Sequence, residues 1–381
     1  MRIGILDAEQ WQTTVDFKTG QPVHVSNPII ENLRDILPLH PYPGDMSPDA
    51  SNWVTDVALD INKFFSPQLM MLNYANAFFT ATFSDCNDSD CKDSRQQVFE
   101  SVNRFLTLTD YIPVIVGFGD LVTPVGVINT THLDGQFVAG GMIVRHGGIN
   151  NASPQDIEQI IQHPGVERII DRDTFREQFG GSDHFYNRFP DHLMVAREGY
   201  VFRGVGTSSR PMNRIPKRDY QIPLHTPLGG VESLIDVAKL VLSNLQNNKK
   251  IALIVVEAVG CQTFPLPYQA ISNRMGFYNY AVSESQYLAL NTGQHFVEHP
   301  FPRAYRYYTE DDENRVYPFS GIFNSMPAQT IGQQFKGRSV AVGNRSIVTH
   351  ATTGASISVE CFARELYNHG TMAVLNSGQL Y

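Results

Sequence analysis

Two acids stand where an acid can do chemistry in an α/β protein. Asp120, in VIVGFGDLVTP, lies just past a strongly apolar run, and Glu257, in IALIVVEAVG, holds the equivalent place after a second. Ligands of open α/β sheets bind beyond the carboxyl ends of the strands, so a carboxylate there can hold a metal or move a proton; the same place also suits a turn or cap residue. His225, in the Pro-flanked loop YQIPLHTPLGG, adds an imidazole, although a lone loop histidine is ordinarily a surface residue. GNRSIVTH (343–350) gathers Asn344, Arg345, Ser346 and His350, a set that could hold a polar substrate. Arg197, Arg203, Arg210, Arg338 and Arg345 fall near predicted strand ends, where guanidinium groups can grip an anion with paired donors or simply face water.

Other motifs fail on context. Gly117-Phe118-Gly119 follows a strand, but no helix opens there to receive a pyrophosphate. Neither G-x4-G-K-[ST] nor G-x-S-x-G occurs. HFVEH (295–299) matches the zinc-peptidase pattern H-x-x-E-H, yet Gly293, Pro300 and Pro302 leave too little chain for the helix it needs, so a loop is expected. Cys86 and Cys91, in SDCNDSDCKD, lack the second ligand pair of a zinc site. The alternating Asp85, Asn87 and Ser89 lack the glycine and distal glutamate of a calcium loop, so this stretch reads as an exposed polar loop. Cys261 and Cys361 sit in apolar contexts that suit buried thiols, and four cysteines make no disulfide scaffold.

The elements that must position these groups are apolar runs: RIGIL (2–6), QLMMLNY (68–74), IPVIVGFG (112–119), HLMVARE (192–198), KIALIVVEAVG (250–260), SVAVGN (339–344) and TMAVLN (371–376). Most are continuous rather than alternating, as in strands buried on both faces of a mainly parallel sheet. Helical spacing falls between them at 53–65, 97–107, 231–246 and 358–369, the last with Gly370 as its C-cap. Ser153-Pro154-Gln155-Asp156 opens a further helix through about 163. The expectation is a single α/β domain over 1–381, doubly wound and mostly parallel, with helices on both faces. Asn244–Lys250 reads as a helix-to-strand loop within it.

Composition narrows the partners. With 29 basic against 38 acidic residues the formal charge is −9, which argues against nucleic acid. No run approaches the ~18 apolar residues of a membrane span, and MRIGILDAEQW is no secretory signal, so a cytoplasmic location is expected. Tyr278, Tyr280, Tyr287, Tyr305, Tyr307, Tyr308 and Tyr317 form either a packed insertion or a wall that stacks on an aromatic ligand.

The order of segments resembles the alkaline phosphatase superfamily, in particular its type I phosphodiesterase and nucleotide pyrophosphatase branch. FESVNRFLTLTDYIPVIVGFGDLVTPVGVIN is similar to the family's helix, strand and Asp-His-Gly loop. PDHLMVAREGYVF and HTPLGG with VESLIDVAKLVLSNL resemble later segments. KKIALIVVEAVG resembles the family's first strand, and YPFSGIFN, TIGQQFKGRSVAVGNR and ISVECFARELYNHGTMAVLN its nucleophile loop and sequel. Residues 1–248 thus resemble the closing part and 249–381 the opening part, the order of a circular permutation. The family's ligand set would leave Asp120, His225 and Glu257, because Leu121 replaces the Asp-His-Gly histidine and LNYANAFFT (72–80) lacks an Asp-x-x-x-His pair. The resemblance offers Ser320 as nucleophile, one residue before the family's own register at Gly321, with Asn324 beside it.

It therefore implies a divergent hydrolase of phosphate or related esters, with one divalent metal (zinc, manganese or iron) in a reduced site. Two further readings stand beside it. One is a catalytically silent relative that binds a small anionic or aromatic ligand or a protein partner. The other is an enzyme of different chemistry that uses Asn344, Arg345, Ser346 and His350.

Overall fold

Runs such as IALIVV and LMMLNY are apolar throughout because every residue of Ile251–Val256 and Leu69–Tyr74 is buried. The computed structural model describes residues 3–7, 14–16, 28–138, 143–187, 189–204, 210–280, 284–298, 329–344, 353–361 and 371–376. Among the described residues the main sheet has ten strands. Five central ones are parallel, in the order Ile112–Gly117, Ile251–Val256, Leu69–Tyr74, Ser339–Gly343 and Ile357–Cys361. Antiparallel strands extend both sides: Gln221–His225 and Gln269–Ser272 beyond Ile112–Gly117, and Thr371–Asn376, Ile3–Asp7 and Thr14–Asp16 beyond Ile357–Cys361.

Period-two alternation divides each central strand between two cores. Met70, Leu72, Tyr74, Ala252, Ile254 and Val256 meet Val57 and Ile61 of helix Ala50–Phe65 and Val98, Val102 and Phe105 of helix Asp88–Thr107. On the other face Leu69, Met71, Leu253 and Val255 meet Val237, Val241 and Leu245 of helix Asp236–Gln246 and Leu290 of helix Glu284–Thr292. The molecule is a mixed α/β fold with helices on both faces of a large sheet whose centre is parallel. Among the described residues no helix is long and apolar enough to cross a membrane.

Several expectations need correction. HLMVARE lies outside the main sheet: His192–Ala196 belongs to a separate antiparallel sheet with Gln136–Val138, His146–Asn150 and Val166–Asp171. TMAVLN joins the main sheet antiparallel, not parallel. The helix expected at 358–369 opens instead as strand Ile357–Cys361, because Ile357 and Val359 alternate on a register that pairs with Val340 and Val342; residues 362–370 lie outside those described. The helix expected at 231–246 begins only at Asp236, after a bend and turn in which Ser233 bridges to Ser272. SDCNDSDCKD is not a loop throughout: Asn87 caps helix Asp88–Thr107, its Oδ1 accepting from the amides of Ser89 and Asp90 while the Asp90 carboxylate accepts from the Asn87 amide. The Ser153 cap and helix Pro154–Gln162 form as read.

The parallel centre contains a reversal that places a site. From Leu69–Tyr74 the chain leaves through helices Asn76–Phe83 and Asp88–Thr107, on one face. From its neighbour Ile251–Val256 it continues to helix Glu284–Thr292, on the other. Connections that part in this way open a gap beyond the carboxyl ends of the two strands, the usual ligand position in such sheets.

Candidate functional site

At that reversal Asn73, Glu257 and Tyr287 form one buried hydrogen-bonded cluster. Glu257 directly follows strand Ile251–Val256 and is fully buried; its amide donates to Tyr74 O at 3.0 Å, and Ala258 turns the chain away with φ 60. Tyr287 of helix Glu284–Thr292 donates its hydroxyl to Glu257 Oε1 at 2.6 Å. Asn73 donates Nδ2 to the same oxygen at 3.2 Å and to the Tyr287 hydroxyl. A buried carboxylate is tolerated only with such donors. Among the described residues Asn73 Oδ1 and Asn291 Oδ1 are buried without a partner, and both residues line a cavity of about 20 Å³ with Met71, Leu253, Leu290 and Thr353, room for about one water. Asn344, just past Ser339–Gly343, caps this edge by accepting the Ala75 amide at 2.7 Å, while its Nδ2 is unpartnered. One strand further, Glu360 is fully buried, and burial holds its carboxyl well above the ordinary range.

Asp120 is buried at the end of Ile112–Gly117, but its carboxylate is committed to a turn. Oδ1 accepts from the Gly260 amide at 3.0 Å and the Thr263 hydroxyl at 2.5 Å; Oδ2 accepts from the Gln262 amide at 3.1 Å. Gly260 is required here, since a Cβ would lie 2.5 Å from both the amide nitrogen and Oδ2 of Asp120. The Asp120 amide donates to Asp219 Oδ2 at 2.7 Å. Asp219, with Lys217 Nζ at 3.5 Å, is a carboxyl raised above its usual range by burial, with the charge of Asp120 adding to the shift.

The expected metal trio does not assemble. His225 sits on an antiparallel strand, opposite Ile115, so its direction carries it inward from the carboxyl edge rather than to it. Its Nδ1 contacts Pro267 O at 2.7 Å. Asp120 serves the 260–263 turn and Glu257 serves Asn73 and Tyr287. Among the described residues no three His, Cys, Asp or Glu side chains are placed to share an ion. The residues present therefore do not fit the divalent metal that the family resemblance implies. Ser320, Asn324, Arg345, Ser346 and His350 lie outside the described residues, so Asn344 alone of the polar set is located. Tyr280 and Tyr287 are core residues, the latter edge-on to Phe118 at 4.7 Å, and Tyr278 stacks on His146 at 4.2 Å.

Of the five arginines near strand ends, Arg197, Arg210 and Arg338 are exposed, Arg203 is half-buried and Arg345 lies outside the described residues; a more deeply buried cation lies elsewhere. It is Arg145, only 6% exposed. Its sole hydrogen bond among the described residues runs from Nη1 to Pro216 O at 2.9 Å, and no carboxylate there lies within ion-pair distance. Burial, then the neighbouring Arg218, pull its guanidinium down to about 10. Burial, with Arg145 and Arg218, also holds His146 well below its usual value, so it is neutral. Arg218 pairs with Glu167 but leaves Nε buried and unpartnered. The segment that binds Arg145 is anchored at the Asp120 edge: Ile215–Pro216 pairs with Leu121–Val122, and the Lys217 amide donates to Asp120 O at 2.7 Å.

No known family profile and no curated protein matches the chain. Among solved structures it is similar to phosphonoacetate hydrolase from Sinorhizobium meliloti 1021. The match to its complex with phosphonoformate has a TM-score of 0.35 and that to its complex with phosphonoacetate 0.34, each at 11% identity. Each match covers 46% of this chain and 49% of the other, so the chain spans about half the length of these neighbours. A likeness of that extent assigns neither family nor activity.

Proposed function

We propose that this chain binds a small anionic ligand at the carboxyl edge of its central strands, with phosphate or a related ester or acid as the ligand class. The supporting observation is Arg145: a buried guanidinium with no carboxylate at ion-pair distance among the described residues, Asp219 and Glu198 acting on it only from further away, carries a desolvation cost that an incoming anion offsets through charge-assisted hydrogen bonds. Arg218, itself paired with Glu167, lies beside Arg145, and Lys217, 3.5 Å from Asp219, follows Pro216 in the segment that binds Arg145.

Hydrolysis of phosphate or related esters at the same edge is the second reading. It rests on the segment order and on Asp219, a carboxyl beside Asp120 that burial raises above its usual range. Ser320 would be its nucleophile. No step is routed through a metal, because Asp120, His225 and Glu257 do not converge.

The test is calorimetry with inorganic phosphate and pyrophosphate, run beside metal analysis of the undialysed protein and a 4-nitrophenyl phosphate assay. Binding that Arg145→Met abolishes, with metal well below one per chain and no turnover, is expected. Stoichiometric metal with chelator-sensitive ester turnover would replace the binding reading with a metallohydrolase.

A further inference from the structure

We propose that Cys86 and Cys91 form a reversible intrachain disulfide that fastens the start of helix Asp88–Thr107 to the chain entering it. Their sulfurs lie 2.6 Å apart, well inside the roughly 3.5–4 Å at which even the smaller carbon atoms rest when unbonded. Cys91 is buried in the first turn of the helix, and half-buried Cys86 directly precedes the Asn87 cap. The reciprocal Asn87–Asp90 bonds fix the backbone between them and so keep the two cysteines within reach of each other.

Burial, together with the adjacent Cys86, pushes the Cys91 thiol up to about 12, so oxidation starts at the more exposed Cys86. With a low-molecular-weight disulfide RSSR as oxidant, the Cys86 thiolate attacks one sulfur and expels RS⁻. Cys91 then gives its proton to solvent and attacks Cys86 Sγ, expelling the second RS⁻. One S–S bond forms in the protein as one breaks in the oxidant, and two RSH leave.

The bridged turn is also a dock. The Asn213 amide donates to Thr82 O at 2.9 Å and its side chain to Ser84 O, while Arg214 pairs with Asp88 and donates to Thr123 Oγ1 at 2.7 Å. That strap continues to Pro216, where Arg145 is bound. The inference itself stands whether or not an anion binds there.

The full chain, desalted from reductant, is incubated with oxidised or with reduced glutathione, then denatured in iodoacetamide, digested and analysed by mass spectrometry. After oxidation the peptide holding Cys86 and Cys91 should carry no alkyl group and be lighter by two hydrogens; after reduction it should be doubly alkylated. Reductant should lower the Tm of the oxidised protein by a few degrees and leave that of the Cys86→Ser, Cys91→Ser double variant unmoved. Double alkylation that persists after oxidation, or glutathione on Cys86 with Cys91 still alkylated, would overturn the proposal.

Discussion

Replacing Arg145 by methionine separates a ligand-binding guanidinium from a structural one. The fold holds this side chain 6% exposed and draws its titration from 12.5 to about 10. A displacement of that size corresponds to about 3 kcal/mol against the charged form at neutral pH. Methionine removes this cost and keeps most of the volume, but leaves Pro216 O without its donor, a loss of about 1 kcal/mol. The ligand-free variant should therefore be more stable than wild type by about 2 kcal/mol, within the range seen when buried charges give way to apolar side chains. Phosphate at a hundredfold excess over its Kd should add about 2.7 kcal/mol to wild type and nothing to the variant. Urea melts with and without phosphate should thus show the order of the two proteins reverse. A variant destabilised by about 2 kcal/mol that still responds to phosphate would refute the reasoning and make Arg145 a packing residue.

Asp120→Ala should cost about 2–4 kcal/mol in urea unfolding, because the buried Gly260 amide and the partly buried Gln262 amide and Thr263 hydroxyl lose their acceptor; a change under about 0.5 kcal/mol would return Asp120 to the candidate ligands. Tyr287→Phe should cost about 1.5–3 kcal/mol, since Glu257 loses a hydroxyl donor while the ring still fits against Phe118. His146 is held neutral in the fold, so the unfolded chain binds the extra proton, and stability should fall as pH drops below about 6.5 toward the lower folded value. His146→Phe should flatten that part of the urea midpoint against pH by up to about 1.4 kcal/mol per pH unit, and a profile identical to wild type would count against a neutral His146.

Much of this architecture is legible in the chain because double-sided burial leaves a local mark. Continuous apolar runs identify Leu69–Tyr74 and Ile251–Val256, and Glu257 directly after the latter and Asp120 shortly after Ile112–Gly117 are visible as acids at strand ends. What those acids do is not local. Asp120 meets Gly260, Gln262 and Thr263 across some 140 residues of sequence, and nothing in VIVGFGDLVTP announces a partner there. Strand direction is equally hidden: YQIPLH reads as a loop carrying a free imidazole, whereas Gln221–His225 runs antiparallel and removes His225 from the edge. Arg145 and Asp219 lie in mixed stretches with no periodicity, and only burial distinguishes them from surface charges. Asn73 is masked for the opposite reason, as one polar letter inside an apolar strand.

The residues that decline to become helix before Asp236 answer a different need. Gln269–Ser272 is the outermost strand on its side, with an open row of amides and carbonyls that another chain could copy onto. The bend through Glu232–Leu234 bridges its end: the Ser272 amide donates to Glu232 O at 2.8 Å, and the Leu234 amide to Ser272 O at 2.9 Å. Gln269 adds Nε2 to Val231 O at 2.8 Å. A sequence whose pattern suits helix is thus spent as a selvedge, and the sheet ends there instead of recruiting a neighbour. Substitutions that restore helix at 231–235 should be judged by light scattering as well as by stability, because their cost would fall on colloidal behaviour before it fell on the fold.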